Sequence, residues 1–185
     1  MVVTLAKGLE RILNKRFKNN YMTWGRGAGA ELVTQKHLGK LGCGYHIVND
    51  FQYKYGNIDH ICICQTGIFT IETKAHKGLI SYNGRLLKDG KEIDKDFIFQ
   101  AKSAAMYISE YIQSVLGKKY FVTPILVFNN AKIDSSIRGP RHGVWIGGKG
   151  FQNYVIANNK NLFLSEEEAS AIYDILKKRQ FGYHE

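Results

Sequence analysis

Apolar positions change their period several times along the chain, and each change marks an expected element. Leu5, Leu9, Ile12, Leu13 and Phe17 recur at helical spacing within residues 1–26. A second helix is expected from about Ala30 to Leu41, ended by Gly42 and Gly44. Three strand-like runs follow, Tyr45 to Asp50, Ile58 to Cys64 and Ile68 to Lys74. Only Gln65-Thr66-Gly67 separates the last two, which predicts an antiparallel hairpin. A short strand near Leu79 to Tyr82 precedes a polar hairpin or loop containing Gly84 and Gly90.

Asp96 stands where an N-cap is needed for a long helix from about Phe97 to Leu116. Its inner face would be Ala101, Ala104, Ala105, Ile108, Ile112 and Val115. Phe121 to Phe128 is almost continuously apolar and reads as a strand buried on both faces, with Pro124 arguing for an edge or a bulge. Val144 to Ile146 suits a further short strand, and Ser165-Glu166-Glu167-Glu168 has the form of a capping box opening a helix to about Lys178. The order predicts a mixed α/β domain whose sheet meanders first and is then crossed by a helix. Trp24-Gly25-Arg26-Gly27-Ala28-Gly29 reads as a hinge, dividing a helical extension (1–24) from one domain (25–185).

A chain of 185 residues is long enough for one sizeable core, and its 44% hydrophobic residues exclude a disordered chain. Lys and Arg number 26 against 16 acids, a formal +10 that favours polyanionic partners such as nucleic acid. The first segment is itself basic, with Lys7, Arg11, Lys15, Arg16, Lys18 and Arg26 against Glu10. As an amphipathic helix it has three uses open to it: docking on the domain, pairing with another subunit, or lying along phosphates. Three cysteines do not make a secreted disulfide framework, and Cys62 and Cys64 read as buried thiols. No apolar run reaches the ~20 residues of a membrane span and no signal-peptide core is present, so a cytoplasmic protein without a membrane partner is expected.

The informative stretch is Ile58-Asp59-His60 followed by Ile71-Glu72-Thr73-Lys74. Strand side chains alternate, so Glu72 and Lys74 share a face, about 7 Å apart. If Gln65-Thr66 is a two-residue turn, Asp59 lies opposite Glu72, with Cβ atoms about 5 Å apart; a bulge at Gly67 would offset this by one residue. Ile61, Ile63, Ile68 and Thr70 fall on the same face, so the carboxylates are grouped at one end of a half-buried patch. Such a pair can hold Mg²⁺ or Mn²⁺, with the Thr73 backbone carbonyl as a further ligand, and Lys74 can stabilise developing negative charge. The alternative is a solvent-facing ion pair, worth under ~1 kcal/mol.

From about Gly25 to Gln113 the sequence resembles the nuclease-related domain family, NERD, a branch of the PD-(D/E)XK, restriction-endonuclease-like superfamily. The resemblance is carried by Gly29-Ala30-Glu31, Ile58-Asp59-His60, Gly67-Ile68-Phe69-Thr70-Ile71-Glu72-Thr73-Lys74, Gly78-Leu79-Ile80 and Gln100. It implies a restriction-endonuclease-like core, a mixed sheet flanked by helices. It also implies Asp59 and Glu72 as metal ligands, Lys74 as the catalytic lysine, Glu31 as an additional acid and Gln100 as a supporting polar residue. The segment before Glu31 is unusually Gly-rich, and Ala75 stands where the family often has a polar residue; neither removes a catalytic group.

Both inherited residues have plainer readings. Glu31 suits the first turn of any helix, and Gln100 suits a helix–sheet seam. His60 points away from Asp59. Arg26, His76, Lys77 and Arg85 are candidates for phosphate contact, and Tyr82 and Tyr107 for stacking on bases. The resulting expectation is a metal-dependent nuclease, DNA being the favoured substrate over RNA. Its rivals are a catalytically silent nucleic-acid-binding module of the same fold and a protein-interaction domain built on the N-terminal helix. A homodimer is expected only by analogy with endonucleases that cut two strands.

Overall fold

A computed structural model describes residues 27–137, 139–157 and 163–181. The expected helix over 1–24, and Arg26, lie outside the described residues. The first described element, α1 (27–38), places Ala30, Thr34 and Leu38 in the core at intervals of one turn. Gly27 and Gly29 belong to this helix, so that part of the expected hinge is helical. Its end comes earlier than Leu41, and Gly42 and Gly44 turn the chain at φ 83° and 85°, angles that favour glycine.

Strands β1 (His46–Tyr53), β2 (Gly56–Cys64) and β3 (Gly67–Thr73) form the expected antiparallel meander. Gln65-Thr66 is a two-residue turn, with Cys64 paired to Gly67 and His60 to Ile71. A second sheet then interrupts the first. It contains β4 (Gly78–Tyr82), β5 (Leu86–Lys88), β6 (Lys91–Glu92) and β8 (Ala131–Ile133) in the order β6-β5-β4-β8. The helix α2 (Phe97–Leu116) has the expected bounds, and Asp96 accepts from the Phe99 N–H at 2.9 Å as its cap. It carries the chain across to β7 (Val122–Val127), which runs parallel to β3, and β9 (Trp145–Gly147) continues the sheet to β1-β2-β3-β7-β9.

β7 is therefore an interior strand with continuous pairing, neither the edge nor the bulge that Pro124 predicts. The proline is accommodated because pairing with β9 begins only at Ile125; Pro124 itself is paired with Thr70 on one side alone. Two short elements, β8 and α3 (Phe151–Ala157), have no counterpart in the sequence expectations. The last helix, α4 (Glu166–Phe181), opens on the expected box: Glu168 N–H donates to Ser165 Oγ at 3.1 Å and Ser165 N–H to Glu168 Oε2 at 3.0 Å.

Helices cover both faces of the larger sheet. Ile61, Ile63 and Ile68 pack with Ala104, Ala105, Ile108 and Ile112 of α2 and Ile172 and Leu176 of α4. On the other face Cys62, Cys64, Phe69 and Ile71 pack with Leu38 of α1 and Phe151 and Val155 of α3. Cys62 and Cys64 are thus buried thiols. Val115 departs from the expected inner face of α2, being 48% exposed in the last turn. Among the described residues no helix is long and apolar enough to cross a membrane.

The α2–sheet seam makes the first prediction. Ile108 is fully buried between α2 and the sheet, so Ile108→Ala should cost about 2–5 kcal/mol. Ser165→Ala should cost about 1 kcal/mol through the lost cap. Urea unfolding midpoints of the two variants, set beside the wild type, check both magnitudes.

Candidate active site

The hairpin turn decides the site. With His60 paired to Ile71, the next step outward sets Asp59 across from Glu72. No bulge intervenes, and the two carboxylates occupy the α2 side of the sheet, at the end of the row formed by Ile61, Ile63 and Ile68. Both are buried, Asp59 8% exposed and Glu72 6%. The Thr73 backbone N–H donates to Asp59 Oδ2 at 2.6 Å, which ties the end of β3 to β2.

Lys74 is the first residue beyond β3, still held to β7 by its N–H donating to the Val127 carbonyl at 2.8 Å. Its ammonium is 2.6 Å from Glu72 Oε1 and 3.1 Å from Gln100 Oε1. Gln100 closes the triangle, donating from Nε2 to Glu72 Oε1 at 2.7 Å. The Phe97 ring lies 4.4 Å from the same ammonium. The solvent-facing ion pair is therefore excluded: this pair is mostly buried and cross-linked to a helix. These bonds engage Asp59 through Oδ2 and Glu72 through Oε1.

Crowded acids dominate the electrostatics. Burial pushes the Asp59 carboxyl up to about 7, reinforced by the Glu72 charge and more weakly by Glu31. The Thr73 N–H and Lys74 oppose the shift without cancelling it. Glu31 is half-buried and also raised, by burial first and then by Asp50 and Glu72. The structure thus brings Glu31 within electrostatic reach of the pair from the first turns of α1, without a hydrogen bond to it among the described residues. Asp50, at φ 52° in β1, acts on Glu31 and accepts from Gln52 and Asn57, and its sequence context did not single it out.

A buried polar strut positions α1. Asn129 Nδ2 donates to the Ala30 carbonyl at 2.9 Å and to Thr34 Oγ1 at 2.6 Å, and Thr34 Oγ1 meets Thr73 Oγ1 at 2.9 Å. This clamps the segment carrying Glu31 to the end of β3, next to Lys74. Nothing in the sequence marks Thr34 or Asn129, since isolated polar residues at the ends of apolar runs are usually solvated.

Other candidates are dispersed. His60 is buried with Nδ1 2.8 Å from Asn49 Oδ1, and burial pushes its imidazole down to about 4. The His76 ring stacks edge-on to Phe97 and Phe128, with centroids 5.4 and 5.9 Å away. Lys77 lines a cleft of about 730 Å³ together with Lys132, Lys149 and Trp145, with no acidic side chain in its lining. Tyr82 and Arg85 belong to the second sheet, Tyr82 hydroxyl 2.7 Å from His142 Nε2 and Arg85 paired with Glu92 at 3.1 Å. Neither touches the carboxylate–lysine group.

Among the described residues no three His, Cys, Asp or Glu side chains form a metal-ligand set by themselves. A family model described as a nuclease-related domain matches residues 26–129, a span that holds Glu31, Asp59, Glu72, Lys74, Gln100 and Asn129. No curated protein and no solved structure matches the chain.

The raised Asp59 carboxyl has a pH signature in the metal-free protein. Its proton is bound more tightly folded than unfolded between the ordinary Asp range and about 7. Across that window the native state holds the extra proton, so the wild type loses stability as pH rises. Asp59→Asn keeps an acceptor for the Thr73 N–H and removes the charge. Its midpoint advantage over the wild type should be smallest near pH 4 and grow toward pH 7, as thermal unfolding in EDTA would record.

Proposed function

This chain belongs to the nuclease-related domain family, and from that premise we propose that it hydrolyses phosphodiester bonds in nucleic acid, DNA being favoured, with a divalent metal. The observation that carries the reading is the Glu72–Lys74–Gln100 triangle set across one ladder step from Asp59. A surface that only bound phosphate would gain nothing from two buried carboxylates facing the anion.

The donor set fits Mg²⁺ or Mn²⁺. Three acids, Glu31, Asp59 and Glu72, act on one another beside the Lys74 ammonium, and the surplus of negative charge is what a dication relieves. Asp59 Oδ1 and Glu72 Oε2 are the oxygens left for it, with the Thr73 carbonyl adding a third and waters the rest, as Mg²⁺ prefers. When bound, the ion supplies a water of lowered pKa and neutralises charge on the phosphodiester. Lys74 then holds its ammonium ready for the charge that develops on phosphate oxygen. Gln100 is a positioning residue: it fixes Lys74 and Glu72 from α2 and needs no contact with substrate. Phe97 walls the ammonium from water on one side, which strengthens its field at the reacting atom.

Phosphate recognition is supported by the formal +10 and by the Lys77, Lys132 and Lys149 cleft beside the catalytic loop. Cleavage of supercoiled plasmid and labelled single-stranded oligonucleotides should require Mg²⁺ or Mn²⁺ and stop in EDTA. Glu72→Ala and Lys74→Ala should each lose at least about 100-fold in rate while binding survives. Gln100→Ala should lose about tenfold in kcat with little change in KM. Retained cleavage in both Glu72→Ala and Lys74→Ala would sink the mechanism. Salt-sensitive binding by a folded wild type that never cuts would support the silent binding module instead.

A further inference from the structure

β1 ends beside the acidic group in aromatic side chains that the chemistry above does not use. Tyr53 closes the strand, Tyr55 stands in the turn to β2, and Tyr107 meets them from α2. The Tyr55 and Tyr53 rings are edge to face with centroids 5.9 Å apart, and Tyr53 and Tyr107 are 4.8 Å apart. Tyr53 and Tyr107 are half-buried against the core shared with Ile61, Ile63 and Ile68, the row that leads to the carboxylates. Packing accounts for those two rings. It does not account for Tyr55, which is 71% exposed.

The row has a cation at each end. Lys54 Nζ lies 4.6 Å from the Tyr55 centroid, and the Arg179 guanidinium lies 5.6 Å from Tyr107 and 4.7 Å from Tyr111. It also reaches the reacting centre. Tyr53 pairs with Gly56, three residues along β2 from Asp59, and burial and then the Glu72 carboxylate push its phenol upward. An exposed ring flanked by cations is the composition of a single-strand binding surface, because every base has a π-face and every nucleotide a phosphate. A duplex hides its base faces in the stack and leaves Tyr55 without a partner.

We propose that Tyr55, backed edge to face by Tyr53, is a stacking platform for an unpaired base next to the scissile phosphate, with Lys54 and Arg179 meeting the flanking phosphates. The substrate class is then single-stranded nucleic acid, or the single-stranded part of a partly paired one. This assignment rests on the nuclease reading and narrows it.

The test is equilibrium binding of the full chain in EDTA, read by fluorescence anisotropy. The probes are a labelled oligothymidine and a hairpin duplex carrying the same number of phosphates. Tyr55→Ala should weaken the single strand about tenfold and the duplex by less than about twofold. Tyr55→Phe, which keeps the ring, should stay within about twofold of wild type on both probes. An unchanged single-strand affinity in Tyr55→Ala overturns the platform and leaves the exposed ring to a protein partner. Equal weakening on both probes overturns it as well, since a phosphate contact would do that without stacking. Binding without metal does not depend on cutting: metal-dependent cleavage beside a failed stacking test removes the platform and keeps the nuclease. Selective stacking without cleavage does the reverse.

Discussion

Asp59 and Glu72 repel each other across one step of a β-ladder, in surroundings that admit little water. Neither charge is cheap to bury, and together they push one carboxyl to about 7. Three contacts keep the arrangement from coming apart. The Thr73 N–H holds Asp59, the Lys74 ammonium holds Glu72, and Gln100 bonds both Lys74 and Glu72. Removing any one partner leaves a buried charge less satisfied, which costs more than the contact itself contributes.

The rest of the fold supplies the rigid frame that this strain requires. α2 packs along the carboxylates' face through Ala104, Ala105, Ile108 and Ile112, and its first turns bring Phe97 and Gln100 to Lys74. β7 enters the sheet next to β3 and takes the Lys74 N–H, so the lysine starts from a fixed backbone position. Asn129, just past the end of β7, reaches Ala30 and Thr34 and sets α1 against Thr73. Elements far apart in the chain therefore converge on Glu72 and Thr73 of β3 and on Lys74 just after it.

The second sheet and the aromatic row stand outside this clamp and differ in character. Tyr82 and Arg85 are satisfied among themselves and their neighbours, by His142 and Glu92. The Tyr53–Tyr55–Tyr107 row instead grows out of the same strand pair that carries Asp59 and leaves one ring exposed. A site that must grip substrate close to an acidic centre has reason to use ring faces, which attract bases without adding charge.

Local pattern by itself determined the antiparallel hairpin around Gln65-Thr66-Gly67, and the structure decided between its two registers, the turn without a bulge at Gly67 setting Asp59 across from Glu72. Alternation and turn length are properties of neighbouring residues and need no distant partner. The same holds for α2 and the caps at Asp96 and Ser165, where side chain and backbone lie within one turn of each other. Only the tertiary structure decided that β7 is interior despite Pro124, because that depends on where β9 begins to pair. It alone joined Gln100 to Glu72 across 28 positions and Asn129 to Thr34 across 95. Contacts at such separations leave no periodic trace in the chain. They arise when helices and strands pack, and packing is decided by the whole core at once.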